Sequence, residues 1–483
     1  MKIERIAANY PLENVQPGIV HIGLGAFHRA HQAVYFERFL NVNNGGEWGI
    51  VAANIRSNRQ LVDDLNDAGN RYHVIEYTGT EHAVLREVRA VINAIFAGDD
   101  RTELLDVLCA ETTKIITLTV TEKGYCMEPA SGRLNRSDPL VLADISASNG
   151  VASVPGLLAT AFAKRCALGM PGLTVLSCDN MPHNGRRVKA AVLEMAASRD
   201  MALADWIKEN VTFPCSMVDR IVPAMTEEKR RAAELAFGIE DSNLIETEAF
   251  SQWVIEDDFA TGRPALEAVG VEFVADVTDY ETMKLRLLNG SHSLLAYGAE
   301  FLGYDTVDTA IIDEVFQPLV RAYMTETSPS ISVDIDIDVY CQSLIDRFAN
   351  ATLNHRLVQI ASDGSQKIPQ RWLAHIEEAC QQGNQLPVTE FALACWMLYM
   401  SGTTPDGRKL EINDPLCEVF TQVNFELPAE DIVAAFLSVD AVFPVAFRNE
   451  RALMARLACY LNQLRLAKTP SAVGELFTSI ISK

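Results

Sequence analysis

The stretch GIVHIGLGAFHRAHQAVYFERFL, residues 18–40, constrains the fold more than any other part of the chain. The apolar run that ends at Ile22 has the character of a strand buried on both faces, and apolar residues then recur at helical spacing. Gly23, Leu24, Gly25, Ala26, Phe27 and His28 lie where the strand gives way to the helix. A glycine at 23 permits the tight turn. A glycine at 25 lets the backbone approach a pyrophosphate resting on the helix N-terminus. His28 stands where a dinucleotide fingerprint has its third glycine. Many strand–helix turns hold glycine for conformational reasons alone, so the nucleotide reading rests on the strand–turn–helix context.

The rest of the N-terminal half repeats that alternation. Strands are predicted at WGIVAANIR, AVLREVRAVI, KIITLTVT and LTVLSCDN, and helices near 58–66, 101–109, 156–167 and 185–198. This pattern predicts an α/β, Rossmann-like doubly wound parallel sheet. After about residue 275 the periodicity is mostly helical, near 310–325, 338–349, 372–382, 388–401, 429–438 and 447–467. Two domains are expected, a dinucleotide-binding one over 1–277 and an all-α substrate domain over 278–483. The acid–aliphatic run SVDIDIDVY reads as a connector, since it lacks the glycine and terminal glutamate of a calcium loop.

A net charge of -23 argues against nucleic acid or an anionic membrane surface as partner. A small anionic substrate remains open to such a chain if a few basic residues line its site. No run of about 18 apolar residues suggests a membrane span, and the N-terminus reads as a polar lead into a strand rather than a signal peptide. The ten cysteines form no Cys-x-x-Cys pair or zinc spacing, so they read as reduced thiols in a cytoplasm. His28 and His31 have no third metal ligand in sight, and the expectation is a site without metal. Nothing in the sequence argues for more than a monomer or weak homo-oligomer.

The chemistry concentrates elsewhere. In MKLRLLNGSHSLL, residues 283–295, regular α-helical spacing of roughly 100° per residue puts Lys284, Asn289 and His292 within an arc of about 140°. Leu285 and Leu288 share that arc, and apolar neighbours lower a lysine's pKa by desolvating it. TLTVTEKGYC places Thr121, Glu122 and Lys123 just past an apolar strand, LSCDNMPHNG places Asp179 and Asn180 at another strand end, and FPCSMVDRIVP holds Asp219 and Arg220. Ligands of open α/β sheets bind beyond such strand ends, although Asp and Asn also serve turns for local reasons. At the end of the second strand, AANIRSNRQ carries no acid for a ribose hydroxyl. Arg56 and Arg59 lie nearby, so NAD and NADP both remain open from these residues.

IVHIGLGAFHRAHQ, TVTEKGYC, SCDNMPHNG, FPCSMVDRIVP, QWVIED, MKLRLLNGSHS and ASDGSQKIPQR, in this order over residues 18–380, resemble the long-chain polyol dehydrogenase family. The resemblance implies a metal-independent, NAD-dependent carbonyl reductase. Lys284 matches the family's catalytic lysine, which protonates the carbonyl oxygen as hydride arrives. Asn289 and Asn180 match the amides that hold the developing alkoxide, and His292 the residue that bonds substrate and lysine. Asp219 and Lys367 match substrate-binding positions, and Glu281 a glutamate beside the proton path. The glycine turn, Arg56 and residues 121–123 fall at the cofactor.

The substrate is expected to be a sugar acid or a ketose. A uronate calls for cationic donors, and HRLVQIASDGSQKIPQRWL supplies Arg356, Lys367 and Arg371, with Lys367 and Arg371 on one face if this segment is helical. DGSQKIPQR resembles the ketouronate-reducing members more than the mannitol-oxidising ones. Gln359 stands where the latter carry arginine, whereas EAFSQWVIED departs from the family's usual proline and arginine. The expected reaction is interconversion of D-fructuronate and D-mannonate, with mannitol or arabinitol oxidation, or tagaturonate reduction, as alternatives.

Overall fold

A computed structural model of the chain describes residues 1–128, 132–147 and 150–481. The chain divides into two compact units, Met1–Thr278 and Asp279–Lys483. The described strands of the first unit are, in chain order, β1 (Lys2–Ile6), β2 (Val15–Ile22), β3 (Gly46–Asn54), β4 (Tyr72–Tyr77), β5 (His82–Val88), β6 (Val91–Phe96), β7 (Ile115–Leu118), β8 (Thr174–Ser177), β9 (Ser216–Asp219), β10 (Ile245–Glu248), β11 (Gln252–Glu256) and β12 (Glu272–Val274).

Five of them form a parallel sheet in the order β6-β3-β2-β7-β8. The chain starts at β2, steps outward through β3 and β6, then returns to the other side for β7 and β8. The strand order therefore reverses between β2 and β7, the place where open parallel sheets bind ligands. Ile19–Ile22 and Ile115–Leu118 are buried throughout, as in a sheet covered on both faces. The helices that follow the sheet strands include Gln32–Asn43, Val154–Ala167 and Asn184–Arg199.

The segment read as a single strand at AVLREVRAVI is in fact two strands in different sheets. β5 joins a mixed sheet of order β1-β5-β4-β10, while β6 joins the parallel sheet. The cause is the buried Glu37 carboxylate, which accepts the Arg89 and Ala90 N–H groups at 2.7 and 2.9 Å and so takes them out of any ladder. The hydroxyl of Tyr10 and the amide of Asn41 satisfy the rest of that carboxylate. A third sheet, β12-β11-β9, carries Asp219 at the end of β9, opposite Gln252.

The second unit is helical around one apolar core. The helix expected over 310–325 is two, Val307–Ile311 and Phe316–Thr327, because Asp313 accepts the Val315 and Phe316 N–H groups and restarts the helix. A last helix, Pro470–Ile481, lies beyond those expected. The regular α-spacing assumed for 283–295 does not hold either. Lys284–Asn289 is wound as a π-helix, Gly290–Leu294 is α, and Leu295–Ala299 is π again. A third wide turn, Pro369–Leu373, joins Gly364–Ile368 to Ala374–Gln381. Proline has no N–H to donate and its ring clashes with the carbonyl four residues back, which accounts for the wide turn there.

Candidate active site

In the first unit, the turn after β2 is held from both neighbouring strands. Gly23 donates its N–H to Ala53 O at 2.8 Å, and the Thr119 hydroxyl, past β7, donates to Gly23 O at 2.8 Å. Asn54 at the end of β3 holds Leu24 O. Gly23 has φ +104°, and a Cβ there would stand 2.1 Å from Thr119 O, so only glycine fits. Gly25 is different. Its φ is −124°, and a Cβ would meet only Gly23 O, at 3.7 Å. Any side chain could adopt that backbone, yet the space over it is left open, as a cradle for a diphosphate requires.

His28 does not face that space. It is fully buried and stacked on His21, ring centroids 3.4 Å apart and planes at 12°. Burial, and then the neighbours His21, Arg29 and His31, hold it well below the usual histidine range. His28 is thus packing beneath the glycine turn rather than a cofactor contact. Ala26 is exposed and Phe27 half-buried, stacked on His31.

Thr121, Glu122 and Lys123 are exposed on a short helix at the carboxyl end of β7, adjacent to the glycine turn across the strand-order reversal. Thr121 has φ +63°, a strained setting for a β-branched residue. Asp179 stabilises it. Its buried carboxylate accepts Val120 N–H at 3.1 Å, Thr121 N–H at 2.9 Å and the Tyr125 hydroxyl at 2.5 Å. Burial pushes Asp179 up, and these hydrogen bonds oppose that rise. Asn180, the next residue, is exposed at the end of β8. Asn184 anchors the same corner through Asp179 O and Ser216 O. Arg56 is exposed beyond β3, whereas Arg59 is paired with Asp99 and lies over the Phe96 ring.

Asp219 is buried at the end of β9. The next residue, Arg220, donates to Glu76 Oε1, Glu248 O and Ala30 O. It thereby binds β9 to the kink at Ala30–His31, where one helix ends and the next begins.

In the second unit, Lys284, Asn289 and His292 are all buried, as is Glu281. The wide turn draws the first two together. With i→i+5 hydrogen bonding, Asn289 stands about one turn beyond Lys284, and His292 follows three residues later on the α-segment. Gly290 makes this winding possible. Its N–H reaches back to Leu285 O, and the Tyr323 hydroxyl donates to Arg286 O at 2.7 Å. A Cβ at 290 would lie 1.9 Å from that hydroxyl. Asn289 Nδ2 and His292 Nε2 are buried without a hydrogen-bond partner, so this face offers donors and acceptors that nothing within the protein uses.

His292 packs against Phe348 at 4.7 Å and edge-on to His355 at 5.7 Å. Burial, followed by the positive fields of His355, Arg371, Arg347 and Lys367, holds it well below the usual histidine range, so the ring is neutral at pH 7. Of the three basic residues expected to meet a carboxylate, two are brought to His292 and one is not. Lys367 Nζ donates to Ile360 O and Ser362 O. Arg371 is buried and donates to Asn289 O at 3.1 Å and Ser293 Oγ at 2.8 Å. Arg356 is exposed. Sequence patterning does not single out Arg347, Phe348, Tyr323 and His355. The first three sit at ordinary helical positions that carry no local signal, and a lone histidine at 355, beside Arg356, carries none either. Among the described residues, no cluster of three or more His, Cys, Asp and Glu side chains could hold a metal ion. No described helix is long and apolar enough to cross a membrane.

Comparison with known proteins bears on both units. The mannitol dehydrogenase Rossmann domain profile matches residues 17–268, and that of the mannitol dehydrogenase C-terminal domain matches 276–465. An uncharacterized oxidoreductase of Escherichia coli strain K12, YeiQ, is 42% identical over 90% of each chain. D-mannonate oxidoreductase of the same strain is 40% identical over 88% of each chain. The solved Pseudomonas fluorescens mannitol 2-dehydrogenase, in ternary complex with NAD and D-mannitol, superposes with a TM-score of 0.89 at 34% identity, covering 98% of this chain and 96% of that one. With both of its domains matched, the chain belongs to the mannitol dehydrogenase family of oxidoreductases.

Proposed function

We propose that the protein interconverts D-fructuronate and D-mannonate with NAD and without a metal. The observation that carries this reading is the setting of His292, a buried neutral ring whose electrostatic neighbours are cationic or imidazole groups, beside the unsatisfied amide of Asn289. Such a pocket suits a sugar that brings a negative charge of its own. The 40% identity to D-mannonate oxidoreductase supports the same choice.

When bound, the cofactor would give a hydride to the ketone as NADH and, in the reverse direction, take one from the alcohol as NAD. Gly25, with open space over it, and the exposed residues Thr121, Glu122 and Lys123 would hold it. Lys284 donates the proton to the carbonyl oxygen as an ammonium, a role that needs no Lewis acid. The Asn289 amide stabilises the alkoxide as charge develops. His292, kept neutral, accepts from or donates to a substrate hydroxyl according to its tautomer. Lys367 orients the carboxylate.

A neutral polyol is the second reading, and one observation favours it. Arg371 serves Asn289 O and Ser293 Oγ, Lys367 serves Ile360 O and Ser362 O, and Arg356 is exposed, so each member of the expected trio is either engaged within the protein or at its surface. The deciding experiment follows NADH oxidation at 340 nm with fructuronate, tagaturonate and fructose, with EDTA present and NADPH as control. Fructuronate turned over at least about tenfold more efficiently than fructose supports the uronate reading. Preference for fructose sinks it.

A further inference from the structure

Arg371 lies beside the reacting face but points away from solvent, into the helix that carries that face. One nitrogen, Nη1, binds both the Asn289 carbonyl and the Ser293 hydroxyl. These two groups are four residues apart, so Ser293 would otherwise bond back to the Asn289 carbonyl, a habit of helical serine that bends helices. The guanidinium takes up that carbonyl instead, immediately after the wide turn, while the Asn289 side-chain amide stays without a partner. The Arg371 pKa, pushed down to about 10 by burial, still leaves a cation at pH 7.

We infer that Arg371 is a positioning residue for the reaction, holding the end of the Lys284–Asn289 turn so that the amide of Asn289 and the ring of His292 meet the substrate. This rests on the reading of Lys284, Asn289 and His292 as the reacting face, but not on which sugar is used. The charge of Arg371 has a second consequence. It is one of four groups, with His355, Arg347 and Lys367, whose field opposes protonation of His292. Removing it raises the His292 pKa and moves the acid limb of the rate profile upward.

The test compares Arg371→Met, Arg371→Lys and Ser293→Ala in the full chain, each with the best of the three sugars and NADH. Arg371→Met should lower kcat about tenfold or more, change KM by less than about threefold, and shift the acid limb up by about one pH unit. Arg371→Lys keeps the charge, so its limb should stay while kcat falls. Ser293→Ala, the mildest change, should lower kcat about threefold and covers the case in which Arg371→Met fails to fold. Histidine-labelled NMR, with His292 assigned through His292→Gln, reads the ring's protonation without any substrate. An unshifted His292 signal in Arg371→Met, or a wild-type kcat in all three variants, overturns the inference. A large rise in KM at constant kcat also overturns it, because that is the signature of a substrate clamp. Wild-type enzyme that prefers fructose sinks the uronate reading and leaves this test intact.

Discussion

The two glycines of the turn after β2 should respond oppositely to the same substitution. Gly23→Ala puts a side chain at φ +104°, with its Cβ 2.1 Å from Thr119 O. Left-handed backbone costs about 1–2 kcal/mol for a non-glycine residue and forced overpacking about 1–3, together roughly 2–5 kcal/mol. Gly25→Ala meets neither penalty, since φ is −124° and the nearest atom is 3.7 Å away. The alanine instead restricts the unfolded chain, for a gain of about 0.4–1 kcal/mol. Its methyl group, however, would stand in the space proposed for the diphosphate. The apo protein is therefore expected to lose roughly 5–15 °C of unfolding temperature in Gly23→Ala and none in Gly25→Ala. NADH, titrated by fluorescence, should bind Gly25→Ala about tenfold or more weakly, a cost of about 1.4 kcal/mol. If Gly25→Ala binds NADH like the wild type, the open space at 25 is not the diphosphate cradle and the reasoning fails.

Three further expectations concern other parts of the chain. Lys284→Met should cut kcat by about 10²–10⁴ and leave the NADH dissociation constant unchanged, and single-turnover rates within tenfold of wild type would remove the lysine from the proton step. Gly290→Ala should displace the Tyr323 hydroxyl and orphan Arg286 O, costing about 2–4 kcal/mol by urea unfolding, whereas Gly298→Ala, whose Cβ meets only side chains at 3.0 Å or more, should cost less. At Glu76 burial raises the carboxyl pKa, but Arg220, Arg86 and Arg38 outweigh it and hold the group at about 2 rather than 4.5. That stabilisation, about 3 kcal/mol, is complete above pH 4.5 and is lost as the pH falls toward 2. Glu76→Gln should remove this acid-dependent part of the unfolding curve, and an unchanged slope between pH 4.5 and 2 would contradict the assignment.

Much of the parallel sheet and the positions of its glycine turn were legible because doubly buried strands and strand–helix alternation leave a periodic trace. The split at Arg89–Ala90 was not, since it is made by Glu37, fifty-two residues away in sequence, whose carboxylate intercepts two backbone donors. The polar face of 283–295 was likewise visible as residue types, but its geometry was not. The Tyr323 hydroxyl, from another element, donates to Arg286 O inside the π-wound turn, and no spacing rule within thirteen residues encodes that contact. Arg371 shows the limit most clearly. Its spacing from Lys367 suggested a joint carboxylate clamp, but its side chain turns to the backbone of Asn289. Which way a long cationic side chain points is a tertiary matter.

The stacked pair of His21 and His28 carries a consequence for how such turns change over time. His21 is hydrogen-bonded to the hydroxyls of Thr117 and Thr119, and Thr119 in turn grips Gly23 O. Restoring the consensus glycine at 28 would therefore strip the cover from one face of His21 and open a hole the size of an imidazole, a loss of about 3–5 kcal/mol if the site does not collapse. The fingerprint's third position is then not a free choice made toward the cofactor. It is coupled to a residue seven positions earlier in the strand, so the two must be exchanged together, and a lineage that once adopts the aromatic pair has no single-step route back to three glycines.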